Sequence, residues 1–139
     1  MNQFNGLNDA IKTIARKMKL PKIHVSDFAP QTFGDVLKSY SETKSIVVWS
    51  GGSDFTIYKD PQVNYLFRAM HDLTHVSLKS DFSLVGETRV AIYQMSQVGT
   101  ELAKIIQIEV IGQAQHYFST GAFPLDQVRF TLEQLKNQK

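Results

Sequence analysis

A chain of 139 residues, 42% hydrophobic and 20% charged, is long enough for one domain over 1–139 with a packed core and too apolar to stay disordered. It contains no cysteine, which excludes disulfides, thiolate nucleophiles and Cys-held zinc, so any metal must rest on histidine and carboxylate. The net charge of +2, with basic residues scattered apart from Arg16, Lys17, Lys19 and Lys22, argues against a nucleic-acid partner.

Leu7, Ala10, Ile11, Ile14, Ala15 and Met18 recur at helical spacing, predicting a helix over 6–19 that ends at a Lys-rich stretch and Pro21. "KIHVSDFAP" reads as a short strand or an extended loop, and its His24 is assigned no role. "TFGDVLKSY" reads as a short helix. "SIVVWSGGSDFTIYKD" has β-branched and aromatic residues flanking Gly51-Gly52-Ser53-Asp54, which predicts a β-hairpin over about 45–59. Ser50-Gly-Gly-Ser53 lacks the ending of a phosphate loop. Asp60-Pro61 opens a helix to about residue 78, with Asp as N-cap and Pro in the first helical position. After a loop, a second helical stretch runs from near Leu84 towards Tyr117 with a bend at Gly99-Thr100. "STGAFP" is a turn, and 124–137 is a last helix. The fold class expected is mainly α (α+β), a helical domain with one β-hairpin. No run approaches the roughly 18 apolar residues of a membrane span, and the N-terminus lacks the apolar core of a signal peptide. A cytoplasmic location is therefore expected. Peripheral membrane contact and homo-oligomerisation stay open.

The segment "RAMHDLTHVSLKSDFSLVGETRVA" carries the chemistry. On a helix turning about 100° per residue, Asn64, Arg68, His71 and His75 share one sector, with Asp72 and Lys79 at its border. Val63, Leu66, Phe67, Ala69, Met70, Leu73 and Val76 make most of the rest apolar. Such a helix is buried, and its polar stripe needs partners. His71 and His75, four residues apart, can reach one ion. Zinc requires at least one further ligand, and Glu87, in the first turn of the next helix, is the nearest candidate. Arg68 reads either as an ion-pair partner of Asp72 or as a group that holds an anionic substrate. Glu109, Gln113 and His116 form a stripe on the later helix that predicts an interhelical hydrogen-bond network. They would join the site only if that helix breaks near Gly99 or another element folds across.

His71-Asp72-x-x-His75, eleven residues and then Glu87 form the pattern HDxxH-x11-E. Together with the Gly86-Glu87 pair, this resembles the zinc-ligand motif of the Coq4 family, which acts in ubiquinone biosynthesis. The resemblance covers residues 60 to 92. It implies a mostly helical protein that holds Zn2+, or another divalent cation, through His71, His75 and Glu87, with Asp72 as a further candidate ligand. It also implies chemistry of the decarboxylation or hydroxylation type on an aromatic ring.

His-Asp-x-x-His also looks like a variant of the zincin motif HExxH, in which the middle carboxylate is a general base. Two chemistries are therefore expected for a small-molecule substrate. One is lyase action on an aromatic or keto acid, with Arg68 holding a carboxylate. The other is hydrolysis, with Asp72 taking a proton. A non-enzymatic protein that uses the polar core for stability or assembly is the third reading.

Overall fold

The computed structural model describes residues 6–51, 56–124 and 126–137. It is mainly helical, with one small sheet. Helix α1 (Leu7–Met18) forms where predicted, and Leu7, Ile11, Ile14 and Ala15 turn their shared face into the core. Its end is set by Lys19, whose φ of 53° reverses the chain before Pro21.

Next come β1 (Lys22–Ser26), α2 (Phe33–Thr43) and β2 (Ser45–Trp49). The side chain of Thr32 accepts the Asp35 N–H at 3.1 Å and starts α2. Lys44, at φ 55°, turns the chain straight into β2. The two strands are parallel, with Lys22 opposite Ser45 and Ser26 opposite Trp49. This corrects the hairpin expected over 45–59: β2 pairs with β1, through the helical crossover that a parallel pair needs. Residues 52–55 of the expected turn lie outside the described residues. The described residues 56–59 do not form a strand. Ile57 and Tyr58 are each 3% exposed and fill the core beside α1 and the helix that follows them.

Helix α3 (Pro61–Leu78) starts as its sequence dictates. Asp60 accepts the Gln62 N–H at 3.0 Å, and Pro61 occupies the first helical position. It is the central element. Val63, Phe67 and Met70 pack with α1 on one side, and Ala69 packs with Ile46 and Val48 of β2 on the other. That second contact explains why β2 lies where it does: its inward residues are buried on α3 rather than on a hairpin partner.

The stretch predicted as one bent helix from Leu84 to Tyr117 is instead α4 (Leu84–Met95), α5 (Thr100–Gln107) and α6 (Gln113–Thr120). The chain leaves the helix over 96–99, as Gly99-Thr100 suggested, and a π-helical turn (Ile108–Gly112) joins α5 to α6. As a result α5, the π turn and α6 fold back along α4. Helix α7 (Gln127–Asn137) closes over the π turn. Among the described residues, no helix is long and apolar enough to cross a membrane.

Candidate metal centre

His71 and His75 sit one turn apart on α3, ring edge to ring face, with centroids 4.6 Å apart. Glu87 comes to them from the first turn of α4. His71 Nε2 lies 2.8 Å from Glu87 Oε2, His75 Nε2 lies 3.1 Å from the same oxygen, and the two Nε2 atoms are 3.1 Å apart. Three ligand-type atoms thus face one point. Zinc held tetrahedrally at about 2.0–2.1 Å puts neighbouring ligand atoms about 3.3 Å apart, and this triangle is close to such a face.

The far sides of the rings decide what the near sides present. His75 Nδ1 is 2.7 Å from the carbonyl oxygen of Ser80. A carbonyl only accepts, so Nδ1 carries the proton, and Nε2 of the neutral ring is a lone pair. His71 Nδ1 likewise faces Gln94 Oε1 at 3.0 Å. With both rings neutral, two nitrogen lone pairs and a carboxylate oxygen converge within 3.1 Å, and without an ion a proton on Nε2 must bridge to the carboxylate.

The local chain path builds this geometry. Lys79, at φ 53°, ends α3, and the Ser80 N–H bonds back to the His75 carbonyl at 3.0 Å. The Ser80 hydroxyl donates to the Gly86 carbonyl at 2.9 Å, tying the end of α3 to the start of α4. Ser83 caps α4 by accepting the Gly86 N–H at 3.1 Å. A Cβ on Gly86 would lie 1.9 Å from the Asp81 carbonyl oxygen, so only glycine lets α4 begin against this turn. The roles of Ser80 and Gln94 were not anticipated. Gln94 was visible only as a neighbour on the Glu87 face, and the Ser80 contact is made by a main-chain atom, which leaves no mark in sequence.

His75 is 0% exposed, behind an aromatic wall in which Phe82 meets it edge-on at 4.7 Å and Phe33 stands at 6.2 Å. His71 and Glu87 instead border a cleft of about 1210 Å³. Asp72, Arg68, Asn64, Trp49 and Phe67 line the same cleft. Burial alone would raise the Glu87 carboxyl, but its bonds to His71 and His75 outweigh that and hold it at about 2. Burial likewise works to lower His71, yet the Glu87 bond raises it above the ordinary histidine range. Asp72 is pushed up to about 6 by burial, against the opposing pull of His71 and His75.

Arg68 does not form the ion pair with Asp72 that the i, i+4 spacing offered; no such pair is present among the described residues. Its Nη1 donates to the carbonyls of Trp49 and Gly51, the latter at 2.7 Å, and its guanidinium lies 5.6 Å over the Trp49 ring.

Of the later stripe, two members reach the cleft. Gln113 Nε2 donates to Glu109 Oε2 at 3.0 Å, and Thr131 Oγ1 of α7 donates to Glu109 Oε1 at 2.8 Å, an interhelical network that includes two of the three stripe residues and takes Thr131 instead of His116. Because the chain folds back after residue 96, Glu109 and Gln113 also line the cleft. His116 packs edge-on against Phe130 at 5.4 Å instead, and His24 is exposed on β1.

Compared with protein-family models, with curated proteins and with solved structures, the chain matches none. Fold and site together define a mainly helical protein whose His71–His75–Glu87 cluster could hold a metal ion.

Proposed function

We propose that His71, His75 and Glu87 hold a zinc-type divalent cation and that the protein is a metal-dependent lyase acting on an aromatic or keto acid in the adjoining cleft. One observation carries the metal reading: both Nδ1–H groups are committed to Ser80 and Gln94, so two imidazole lone pairs and a carboxylate oxygen point at one another. Such a triangle needs a cation or a proton at its centre. Three protein ligands, rather than four, suit a catalytic ion more than a purely structural one. Access is from the cleft side, past His71 and Glu87, while His75 supports from behind.

Bound there, the ion supplies Lewis acidity towards a substrate oxygen. The chain's own groups supply the rest. Arg68, anchored through Nη1 on main-chain carbonyls, lines the cleft as a fixed cation for an anionic substrate group. Trp49, Phe67 and Phe82 offer flat apolar walls for a ring. In decarboxylation the bond to the carboxyl carbon breaks, its electron pair stays on the substrate carbon, and that carbon takes a proton. Asp72, which lines the cleft one residue from His71, supplies the proton. The likeness of HDxxH-x11-E to the Coq4-family motif supports the same class of reaction.

A zincin-like hydrolytic reading uses Asp72 as the base instead, and the packing of β2 beside α3 favours it. Arg68 and the aromatic walls favour the lyase.

Elemental analysis of protein purified without added metal, before and after zinc titration, tests the metal reading. Wild type should take up about one equivalent and His71→Ala less than about a tenth of one, as expected for loss of one of three ligands. Wild type that stays below a tenth after titration sinks it.

A further inference from the structure

Strand β1 leaves one of its edges open. The Ser50 N–H donates to the Ser26 carbonyl at 2.9 Å, so the main-chain groups of Ser26 face β2. Main-chain direction alternates along a strand, so those of Lys22 and His24 face β2 as well, and the N–H and C=O of Ile23 and Val25 face away from it. Among the described residues no strand lies on that side, since the sheet holds β1 and β2 alone. Edges of this kind are normally guarded by a central charge, a proline or a bulge, and residues 23–26 carry no lysine, no proline and no bulge. A two-stranded parallel sheet is also small, because parallel sheets are as a rule wider and covered on both faces. Beside the open edge stand two apolar side chains in solvent, Val25 at 44% exposure and Phe28 at 90%.

We propose that this edge receives a second copy of the chain, β1 antiparallel to β1 about a two-fold axis at His24, which completes a sheet of four strands. The strand is complementary to itself in that register, as a two-fold axis requires. Ile23 falls opposite Val25 of the second copy and Val25 opposite its Ile23. All four are outward residues, so each pair exchanges two N–H···O=C bonds. Val25 is then covered by an isoleucine, and Ile23 already packs on the Ile46–Val48 cluster, so one apolar layer continues across the axis. Lys22 falls opposite Ser26, and Asp27 opposite Pro21 with Lys22 beside it, so no like charges meet. The Phe28 N–H donates to Ser26 Oγ at 3.0 Å, and Asp27 accepts the Ser50 hydroxyl, which holds both residues at the end of the strand. Phe28 is thereby brought to Leu20 and Pro21 of the second copy, which are only partly buried in one chain. An axis at Ile23 would need an N–H from Pro21, which has none, and an axis at Val25 would oppose Ile23 to Asp27.

The test uses the full chain, with mass read by sedimentation velocity and register read by cross-linking of single-cysteine variants, which the cysteine-free sequence allows. Wild type should pass from monomer towards dimer between about 1 µM and about 1 mM, the range of a small interface. Val25→Pro removes an outward N–H and spares the bonds between β1 and β2, so it should stay monomeric over that range with an unchanged far-UV spectrum. Val25→Lys charges the edge and should weaken the dimer at least about tenfold, and it decides the matter should Val25→Pro not fold. Opposite residues of a non-hydrogen-bonded antiparallel pair lie about 4.5 Å apart at Cα, within reach of a disulfide, so His24→Cys should cross-link readily under mild oxidation. Lys22→Cys keeps its two thiols four residues out of step, about 13 Å along the strands, and should cross-link at least about tenfold more slowly. A wild type that is monomeric throughout, a dimer that persists in the folded Val25 variants, or equal rates for the two cysteine variants overturns the proposal.

Discussion

The carbonyl oxygen of Ser80 lies 2.7 Å from Nδ1 of His75, so the turn that ends α3 reaches back and fixes a ring on that same helix. His71 has its counterpart in Gln94, at 3.0 Å, but there the acceptor is a side chain. That contact is open to mutation. Gln94→Leu keeps the volume and leaves the His71 Nδ1–H without a partner in a site where Gln94 is 2% exposed. Zinc affinity should fall by about 10–100-fold, read by competition with a chromophoric chelator. Unchanged affinity would mean that Gln94 does not orient His71.

Gly86→Ala tests the close approach of α4 to the preceding turn. The new methyl would press on the Asp81 carbonyl oxygen at 1.9 Å, a main-chain atom that no side-chain rotation can move aside. Either the turn or the start of α4 must shift, and Glu87 shifts with it. Thermal unfolding should show a loss of about 2–3 kcal/mol, the range for an overpacked buried site, together with weaker zinc retention. A variant as stable as wild type would show that the turn yields freely.

The response to pH follows from His71 and Glu87. In the metal-free protein, protonated His71 is stabilised by Glu87, because its folded pKa is raised. That contribution is complete below the unfolded value of about 6.5 and fades as pH rises through the raised one. Glu87, held at about 2, contributes above the ordinary carboxylate range and loses its contribution only as pH falls towards that value. Zinc takes the place of the His71 proton, so the two compete. The rise in Tm caused by a fixed zinc concentration should therefore be larger at about pH 8 than at about pH 6. Differential scanning fluorimetry checks this, and a rise that is larger at the lower pH would take His71 out of the ligand set.

Glu109 gives the opposite slope. Its folded carboxyl titrates at about 7, above the unfolded value. Its neutral form favours the fold, so stability is full at the acid end and declines as pH rises towards about 7. Glu109→Gln removes this decline while preserving the shape met by Thr131 and Gln113. Relative to wild type it should gain about 1–2 kcal/mol at about pH 8, roughly 5 °C in Tm for a chain of this size, and nothing at about pH 4.5. Equal melting curves at both pH values would show that burial does not strain Glu109.

Much of the site was legible because it is local. Asp60-Pro61 marks where α3 starts, and four-residue spacing puts His71 and His75 on one face whatever the rest of the chain does. Glu87 was reachable by the same logic, since a short turn must bring α4 back against α3. The partner of β2 was not legible. Alternation in "SIVVW" specifies a strand but not which edge it joins, and burial of Ile46 and Val48 on α3 decided for the distant β1. The π turn was hidden as well, because it is a shift in backbone pairing with no residue type of its own. The proximity of Glu109 to the cleft depends on where the chain folds back after residue 96, a property of packing rather than of spacing.

The π turn has one further implication. It accommodates an additional residue in a helix without interrupting it, so everything beyond Gly112 is rotated relative to a uniform α-helix. Gln113 as well as Tyr117 and Phe118 at the cleft mouth owe their heading to that extra residue. This protein should consequently tolerate many side-chain exchanges along 108–112 better than the loss of a single residue there, since a shortened chain would swing one whole wall away from the histidines.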